Sequence, residues 1–379
     1  MSRLPPKPVR RLVLVPLGFV VCVLLVVAAP ILLAISAVMD LPSDRRLPTV
    51  RIVGFAVAWA FYDVLGLLGL LGLWLASGAG LGLRSVRVQE AHYGLMRFWI
   101  GGVSLAARRL FRLRIRIEDP PERRAGPVLV FSRHAGPGNS LMLLGVLMLG
   151  YQRRPRIVML EKLQFEPFFD VIGNRVPNRF IRHDPARRER TLQEIAGLAA
   201  GMGQADAFVL FPEGKDFTPT LRRRAIASLR RRGHEDRAQR AELMERVLPP
   251  RSSGVMAALG AAPEADVVFV AHTVLEDIGS FRDLRRRGPL DRPVLARYWR
   301  IPAAQVPREE AVLVPWLYEW WARIDAWIDA RTGTQASAQT GAQASAQASA
   351  QTEGSDRQPP AGSVRAPEPE PGIGDRPSA

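Results

Sequence analysis

Two stretches of this sequence are too long and too apolar to rest in water. Leu12 to Met39 runs 28 residues without a charge, and Ile52 to Leu83 runs 32 residues with Asp63 as its single charge. About 20 apolar residues cross the hydrocarbon core of a bilayer, so each stretch is long enough even when tilted. The pattern predicts an N-terminal hairpin, residues 1–87, with membrane helices over 12–39 and 52–83. The first stretch also reads as a cleaved secretory signal, because Arg10 and Arg11 precede it and small residues fall between Ala34 and Ala37. Its length favours a retained helix. Arg3, Lys7, Arg10 and Arg11 precede the first stretch, and Arg84, Arg87 and Arg97 follow the second. That bias predicts a cell-membrane hairpin with both ends, and the domain that follows, in the cytoplasm. Gly66, Gly69 and Gly72 either let the first helix approach closely or merely reflect composition. Asp63 receives no role.

The 52 basic and 36 acidic residues leave a net charge of +16, and only three of the bases are lysines. The last 47 residues carry five acids and three bases, so the rest of the chain stands at +18. Such a surplus asks for an anionic partner: nucleic acid, anionic lipid or a phosphorylated substrate. The runs Arg222–Arg224 and Arg230–Arg232 have no interleaved aromatic residues, and two membrane spans accompany them. Nucleic acid is therefore not an expected partner. One cysteine, Cys22, excludes a disulfide scaffold, and five scattered histidines show no ligand spacing. No metal is expected.

Beyond the hairpin the periodicity changes twice. Residues 90–111 place Leu95, Phe98, Trp99, Val103 and Leu110 among Arg97, Arg108 and Arg109, a pattern that fits either an interfacial helix or a core-packed one. From Arg112 to Ile117 basic and apolar residues alternate, as in a half-buried strand. Apolar runs at 128–131, 157–160, 208–211, 267–271 and 293–299 then read as strands. Helices are expected over 139–150, 188–201, 219–232, 236–247 and 308–330. Thr218-Pro219 forms a good helix start and Gly233 a good stop. Strands alternating with helices predict an α/β domain over 88–332 with a mixed, mostly buried sheet flanked by helices. From Gly333 the chain repeats Ala-Ser-Ala-Gln and Thr-Gly-Ala-Gln, then becomes rich in Pro and Glu. Residues 333–379 are expected to be disordered.

Chemistry concentrates where strands end. His134 directly follows the run ending at Phe131-Ser132-Arg133, and Ala-Gly-Pro-Gly-Asn139 comes after it. That is where α/β folds place ligands, and an imidazole there can take a proton from a hydroxyl near neutral pH. A second loop, Phe211-Pro212-Glu213-Gly214-Lys215, follows the run ending at Leu210. Pro and Gly set a turn whose amides can face an anion, and Lys215 adds a positive charge. Between the two lies Asn178-Arg179-Phe180-Ile181-Arg182-His183, whose arginines suit phosphate oxygens. Arg251, after Leu248-Pro249-Pro250, reads either as a further phosphate contact or as part of a structural turn. His272 reads as a core histidine, and His92, His183 and His234 receive no role.

Together these residues resemble the glycerolipid acyltransferase family, best known from the bacterial 1-acyl-glycerol-3-phosphate acyltransferases. That family carries H-x-x-x-x-D, then F-I-x-R with variable flanks, then F-P-E-G, then an apolar strand. Here the positions occur in that order at His134, Phe180-Ile181-Arg182, Phe211 to Gly214, and Val267 to Thr273, within about residues 90–330. The resemblance implies transfer of a fatty acyl group from acyl-CoA or acyl carrier protein to a hydroxyl of lysophosphatidate or a related lysophospholipid. It makes the donor a substrate and leaves no cofactor. It assigns His134 as general base and Asn139 to its motif partner's position. It implies Arg179, Arg182, Glu213, Gly214 and Lys215 around the acceptor phosphate, with Phe211, Pro212 and Arg251 as further substrate contacts.

The sequence departs from the family pattern at three places. Asn139 stands where the motif has aspartate, Arg182 follows Ile181 directly, and the last block reads Val-Val-Phe-Val-Ala-His-Thr without proline. An aspartate would hold the imidazole in one tautomer and stabilise the imidazolium; the asparagine accepts a hydrogen bond but supplies no charge. Either Glu213 or Asp216 supplies the charge, or the orienting group is neutral. The competing function is a lipid-binding membrane protein of the same fold that has lost turnover.

Overall fold

A computed structural model describes residues 4–42, 46–120, 124–182, 184–273, 285, 289–290 and 292–355. Residues 1–332 form one compact unit, and 333–379 form a second.

The first apolar stretch folds as α1 (Lys7–Val9), a π-turn over Arg10–Leu14, α2 (Val15–Val27) and α3 (Ala29–Met39). The interruption at Ala28 sits just before Pro30, whose ring and missing N–H disfavour an unbroken helix. The second stretch is α4 (Pro48–Ala76). It ends seven residues before the expected Leu83 because Gly78, Ala79 and Gly80 adopt left-handed backbone. Asp40 joins the two arms by accepting from the amides of Thr49 and Val50 at 2.8 and 2.9 Å. The helices Lys7–Val27 and Pro48–Ala76 are each long and apolar enough to cross a membrane.

The hairpin does not stand apart as a separate 1–87 domain. Next along the chain come α5 (Val86–Phe111), β1 (Ile115–Glu118), β2 (Val128–Ser132), α6 (Pro137–Gly145), β3 (Arg154–Leu160) and α7 (Pro167–Gly173). Arg10 is buried and donates to Gln164 at 2.8 Å and Asp170 at 3.1 Å, while Arg11 donates to the Asp170 carbonyl at 2.7 Å. Two charges that the sequence offers as orientation signals thus bind the hairpin to α7. Trp99 of α5 donates to Asp63 at 2.8 Å and stacks on Phe168 of α7 at 5.0 Å. Gly66 and Gly69 of α4 face these partners rather than the first helix: a Cβ at Gly66 would meet Phe168 at 2.6 Å, and one at Gly69 would meet Leu95 at 2.8 Å, whereas one at Gly72 would meet nothing within 4 Å. Helix α5 buries Tyr93, Trp99, Ile100, Val103 and Phe111, so the core-packed reading of 90–111 is the one realised. The outward side of the hairpin keeps Leu17, Val20, Leu24, Ile31, Ile35 and Val38 exposed at helical spacing, with Phe61, Leu68, Leu71 and Leu75 on α4.

The remaining elements are β4 (Arg179–Ile181), α8 (Arg188–Ala199), β5 (Asp206–Leu210), α9 (Pro219–Arg231), α10 (Glu235–Glu242), α11 (Ser252–Ala261), β6 (Asp266–His272), β7 (Val294–Ile301) and α12 (Glu310–Ser355). Seven strands form one mixed sheet in the order β1-β7-β6-β2-β5-β3-β4, with β6 and β7 antiparallel and the other neighbours parallel. Strand periodicity divides the central side chains between two faces. Leu129, Phe131, Phe208, Leu210, Val267 and Phe269 meet α8 to α12, whereas Val130, Val209, Val268 and Val270 meet Leu143 and Leu147. The sheet is therefore covered on both faces. Its three central strands, β6, β2 and β5, end side by side.

Thr218 caps α9 by accepting from Leu221 at 3.1 Å, as the sequence predicts. The helix expected over 236–247 stops at Glu242 because distant carboxylates take its next amides. Asp325 accepts from Glu245 at 3.1 Å and Arg246 at 2.5 Å, and Glu213 accepts from Leu248 at 3.2 Å. Helix α12 continues to Ser355 through Ala/Gln repeats expected to be disordered; alanine and glutamine are good helix formers, and that intrinsic propensity opposes the compositional argument. Residues 356–379 lie outside the described residues.

Candidate active site

His134 is the second residue beyond β2. Its amide donates to Glu213 Oε1 at 3.2 Å, and its carbonyl accepts from Phe217 at 2.9 Å, so the loops after β2 and β5 hold one another. The ring is half-buried and stacks on Phe211, with centroids 4.5 Å apart. Its Nδ1 lies 3.2 Å from Asn139 Oδ1 and 3.1 Å from Asp216 Oδ1. Two oxygens converging on Nδ1 place the proton there and leave the Nε2 lone pair free to accept one. Burial lowers the His134 pKa, Asp216 and Asn139 oppose that shift, and the charge of Lys162 adds to it. The imidazole is therefore mostly neutral at pH 7, with Nε2 able to accept a proton.

Of the two candidate carboxylates, Asp216 is the one beside the ring. It stands within ion-pair distance of His134, also accepts from the amide of Gly136 at 3.0 Å, and is half exposed. A carboxylate from the loop after β5 thus stands beside the ring, where α6 offers only the Asn139 amide. Glu213 lies on backbone amides instead. Burial pushes the Glu213 carboxyl up to about 8, against the pull of Arg133, and its two oxygens bind the amides of His134 and Leu248. Its place is structural, inside the turn rather than on a phosphate.

Arg133 is wholly buried beneath the site. It donates to the Arg246 carbonyl at 2.7 and 3.2 Å and to the His272 carbonyl at 3.0 Å, tying the ends of β2 and β6 to the 244–250 segment. Gly214 needs its glycine: its φ is +70°, and a Cβ would lie 3.2 Å from the Arg251 guanidinium. That guanidinium lies over the Glu213-Gly214 turn, and the Arg251 amide donates to the Pro212 carbonyl at 3.0 Å. Pro212 is buried and Phe211 half-buried against the base, whereas Lys215 is exposed at the rim.

The second motif lies on β4 and just beyond it. Arg182 is engaged by Glu161 through Nε at 2.5 Å and Nη2 at 3.0 Å. Arg179 is exposed, and its guanidinium binds the neighbouring Asn178 carbonyl at 3.0 Å. Asn178 is buried and accepts from Ile157, a structural contact. His183 lies outside the described residues. Sequence reasoning misses Lys162, which acts electrostatically on His134, and misses the contact of His272 with Asn139; it names Asp216 only as one of two carboxylates. A lysine in Glu161-Lys162-Leu163 gives no local signal. The carboxylate at 216, two residues after the Pro-Glu-Gly turn, gives a weak one.

Among solved structures, the crystal structure of the 1-acyl-sn-glycerophosphate (LPA) acyltransferase PlsC from Thermotoga maritima aligns with this chain. The alignment covers 69% of this chain and 97% of that one, at 12% sequence identity and a TM-score of 0.40. No protein-family model and no curated protein matches the chain.

Proposed function

We propose that this chain is a membrane-bound acyltransferase that moves a fatty acyl group from acyl-CoA or acyl carrier protein to a hydroxyl of lysophosphatidate or a related lysophospholipid. The observation that carries the reading is the His134 ring, with Nδ1 held by Asn139 and Asp216 and Nε2 left to accept a proton. The order of the four motifs along the chain supports the choice of reaction.

His134 Nε2 removes the proton of the acceptor hydroxyl as its oxygen attacks the thioester carbonyl. Asp216 stabilises the imidazolium that forms. Collapse of the tetrahedral intermediate breaks the carbon–sulfur bond, and the leaving thiolate takes the proton from His134. No acyl-enzyme is required. Lys162, Lys215, Arg251 and Arg182 are the positive charges assigned to the anionic acceptor; Arg182 exchanges Glu161 for phosphate, and Arg179 adds outer charge. The exposed apolar side of the hairpin enters the lipid, which brings the site to its amphiphilic substrate. In this reading the α/β part faces the cytoplasm.

Asp216 favours an enzyme over a degenerate lipid-binding protein, because the charge absent at position 139 is present 3.1 Å from the ring. Membranes containing the chain, given lysophosphatidate and acyl-CoA, are expected to form phosphatidate and free CoA in equal amounts. Binding of lysophosphatidate without product would establish the lipid-binding alternative.

A further inference from the structure

The buried side of the base holds a second histidine that the mechanism above does not use. His272 ends β6, is fully buried, and places Nε2 2.6 Å from Asn139 Nδ2. The same Nδ2 donates to the Arg133 carbonyl at 3.1 Å. Asn139 is also fully buried, so its amide does not face bulk solvent. We propose that His272 is a positioning residue that acts on the base through Asn139. The His272 ring and the Arg133 carbonyl hold the Asn139 amide in one orientation, and that amide keeps the His134 proton on Nδ1. The proposal rests on the reading of His134 as a general base.

The orientation follows from counting donors and acceptors. An amide offers one acceptor oxygen and one nitrogen with two hydrogens. Directing Nδ2 at the Arg133 carbonyl and at the His272 Nε2 lone pair leaves Oδ1 for His134. The reverse orientation would set two carbonyl oxygens against each other and present N–H to His134 Nδ1. His134 would then carry its proton on Nε2 and cease to be a base. For His272 to accept at Nε2, its own proton must sit on Nδ1. That atom is buried and has no hydrogen-bond partner among the described residues. A stranded donor lowers stability, and a phenylalanine of similar shape would avoid it. What the histidine adds is the acceptor. Burial and the nearby Arg133 charge lower the His272 pKa to about 3, against a pull from the Arg133 backbone, so the ring is neutral and one of its nitrogens carries a lone pair. The pair also accounts for asparagine at 139, since a carboxylate has no hydrogen to give either partner.

Asp216 accepts from the same His134 Nδ1, so the buried contact is exposed to measurement when Asp216 is removed. In 15N spectra of the full-length protein in detergent, His134 and His272 are both expected to carry their proton on Nδ1. In the Asp216→Asn background, adding His272→Phe should let His134 average between tautomers. It should lower kcat about tenfold or more, with the KM for lysophosphatidate within about twofold. His272→Gln in that background should restore both, because its Oε1 replaces Nε2 as acceptor. A His272 proton found on Nε2 in the unmodified protein would overturn the proposal without any variant having to fold. So would an unchanged His134 tautomer and kcat on adding His272→Phe. If the unmodified protein transfers no acyl group, the enzyme reading fails on its own, and the His134 tautomer still decides this proposal.

Discussion

The His134 ring divides two unlike regions. On its inner side, Asn139, His272 and Arg133 are buried, and the groups within hydrogen-bond reach of Nδ1 from that side are neutral. On its outer side stand Asp216, Lys162 and Lys215, all exposed. A buried carboxylate would need full compensation, whereas an exposed one beside the imidazole is partly solvated and comes with less desolvation. The difference teaches that orientation and charge, which a single motif aspartate can combine, are separable. Here the dry side sets the tautomer and the wet side supplies the charge.

The largest effect expected is at the shared base. His134→Ala should lower transfer by about 10²–10⁴-fold while membrane association and folding stay intact, measured as phosphatidate formed per unit of chain. Next is the outer charge. Asp216→Asn should reduce turnover by about 10–100-fold, less than loss of a sole orienting carboxylate, because Asn139 still accepts from Nδ1. Since Asp216 raises the His134 pKa, its loss lowers that pKa, and the acid limb of the pH–rate profile must move to lower pH. A limb that moves upward would remove Asp216 from the ring.

A charge on the dry side should do harm. Asn139→Asp puts a carboxylate against the Arg133 carbonyl and the His272 lone pair, so turnover should fall and stability should drop by about 1–3 kcal/mol in a thermal denaturation series. A rise in turnover would show that the inner side tolerates a carboxylate and would erase the contrast between the two sides. At the rim, Arg182→Ala should raise the KM for lysophosphatidate a few-fold and leave that for acyl-CoA unchanged, while Glu161→Gln, which frees Arg182, should lower it. The smallest change is expected for Lys162→Met. Its charge depresses the His134 pKa, so its removal should shift the acid limb slightly to higher pH.

The buried strands were legible because each is a run of apolar residues bounded by turn residues, and the two motif loops follow such runs directly. His134, Phe211 and Gly214 therefore lie in the loops that follow β2 and β5. Elements set by distant partners were not legible. Helix α7 is seven residues long and depends on Glu166, which accepts from Phe168 and Phe169, and on contacts with α4 and α5. Helix α10 ends where Asp325, some 80 residues away, takes the amides that would extend it. The same reason hides the inner side of the site: nothing local to Val270-Ala271-His272 indicates that its imidazole meets Asn139, 133 residues earlier. Asp216 was one of two carboxylates near the turn. Choosing between them required knowing that Glu213 points inward to backbone amides.

The central claim is that His134, neutral and protonated on Nδ1, takes the proton of a lysophospholipid hydroxyl. The direct measurement is the rate of acyl transfer from labelled acyl-CoA to lysophosphatidate across pH, with His134→Ala in parallel. The account predicts transfer with one acid limb below the ordinary imidazole pKa of about 6.5, and a variant reduced at least 10²-fold at every pH. Transfer by His134→Ala within a few-fold of the unmodified protein, with the same acid limb, would contradict it.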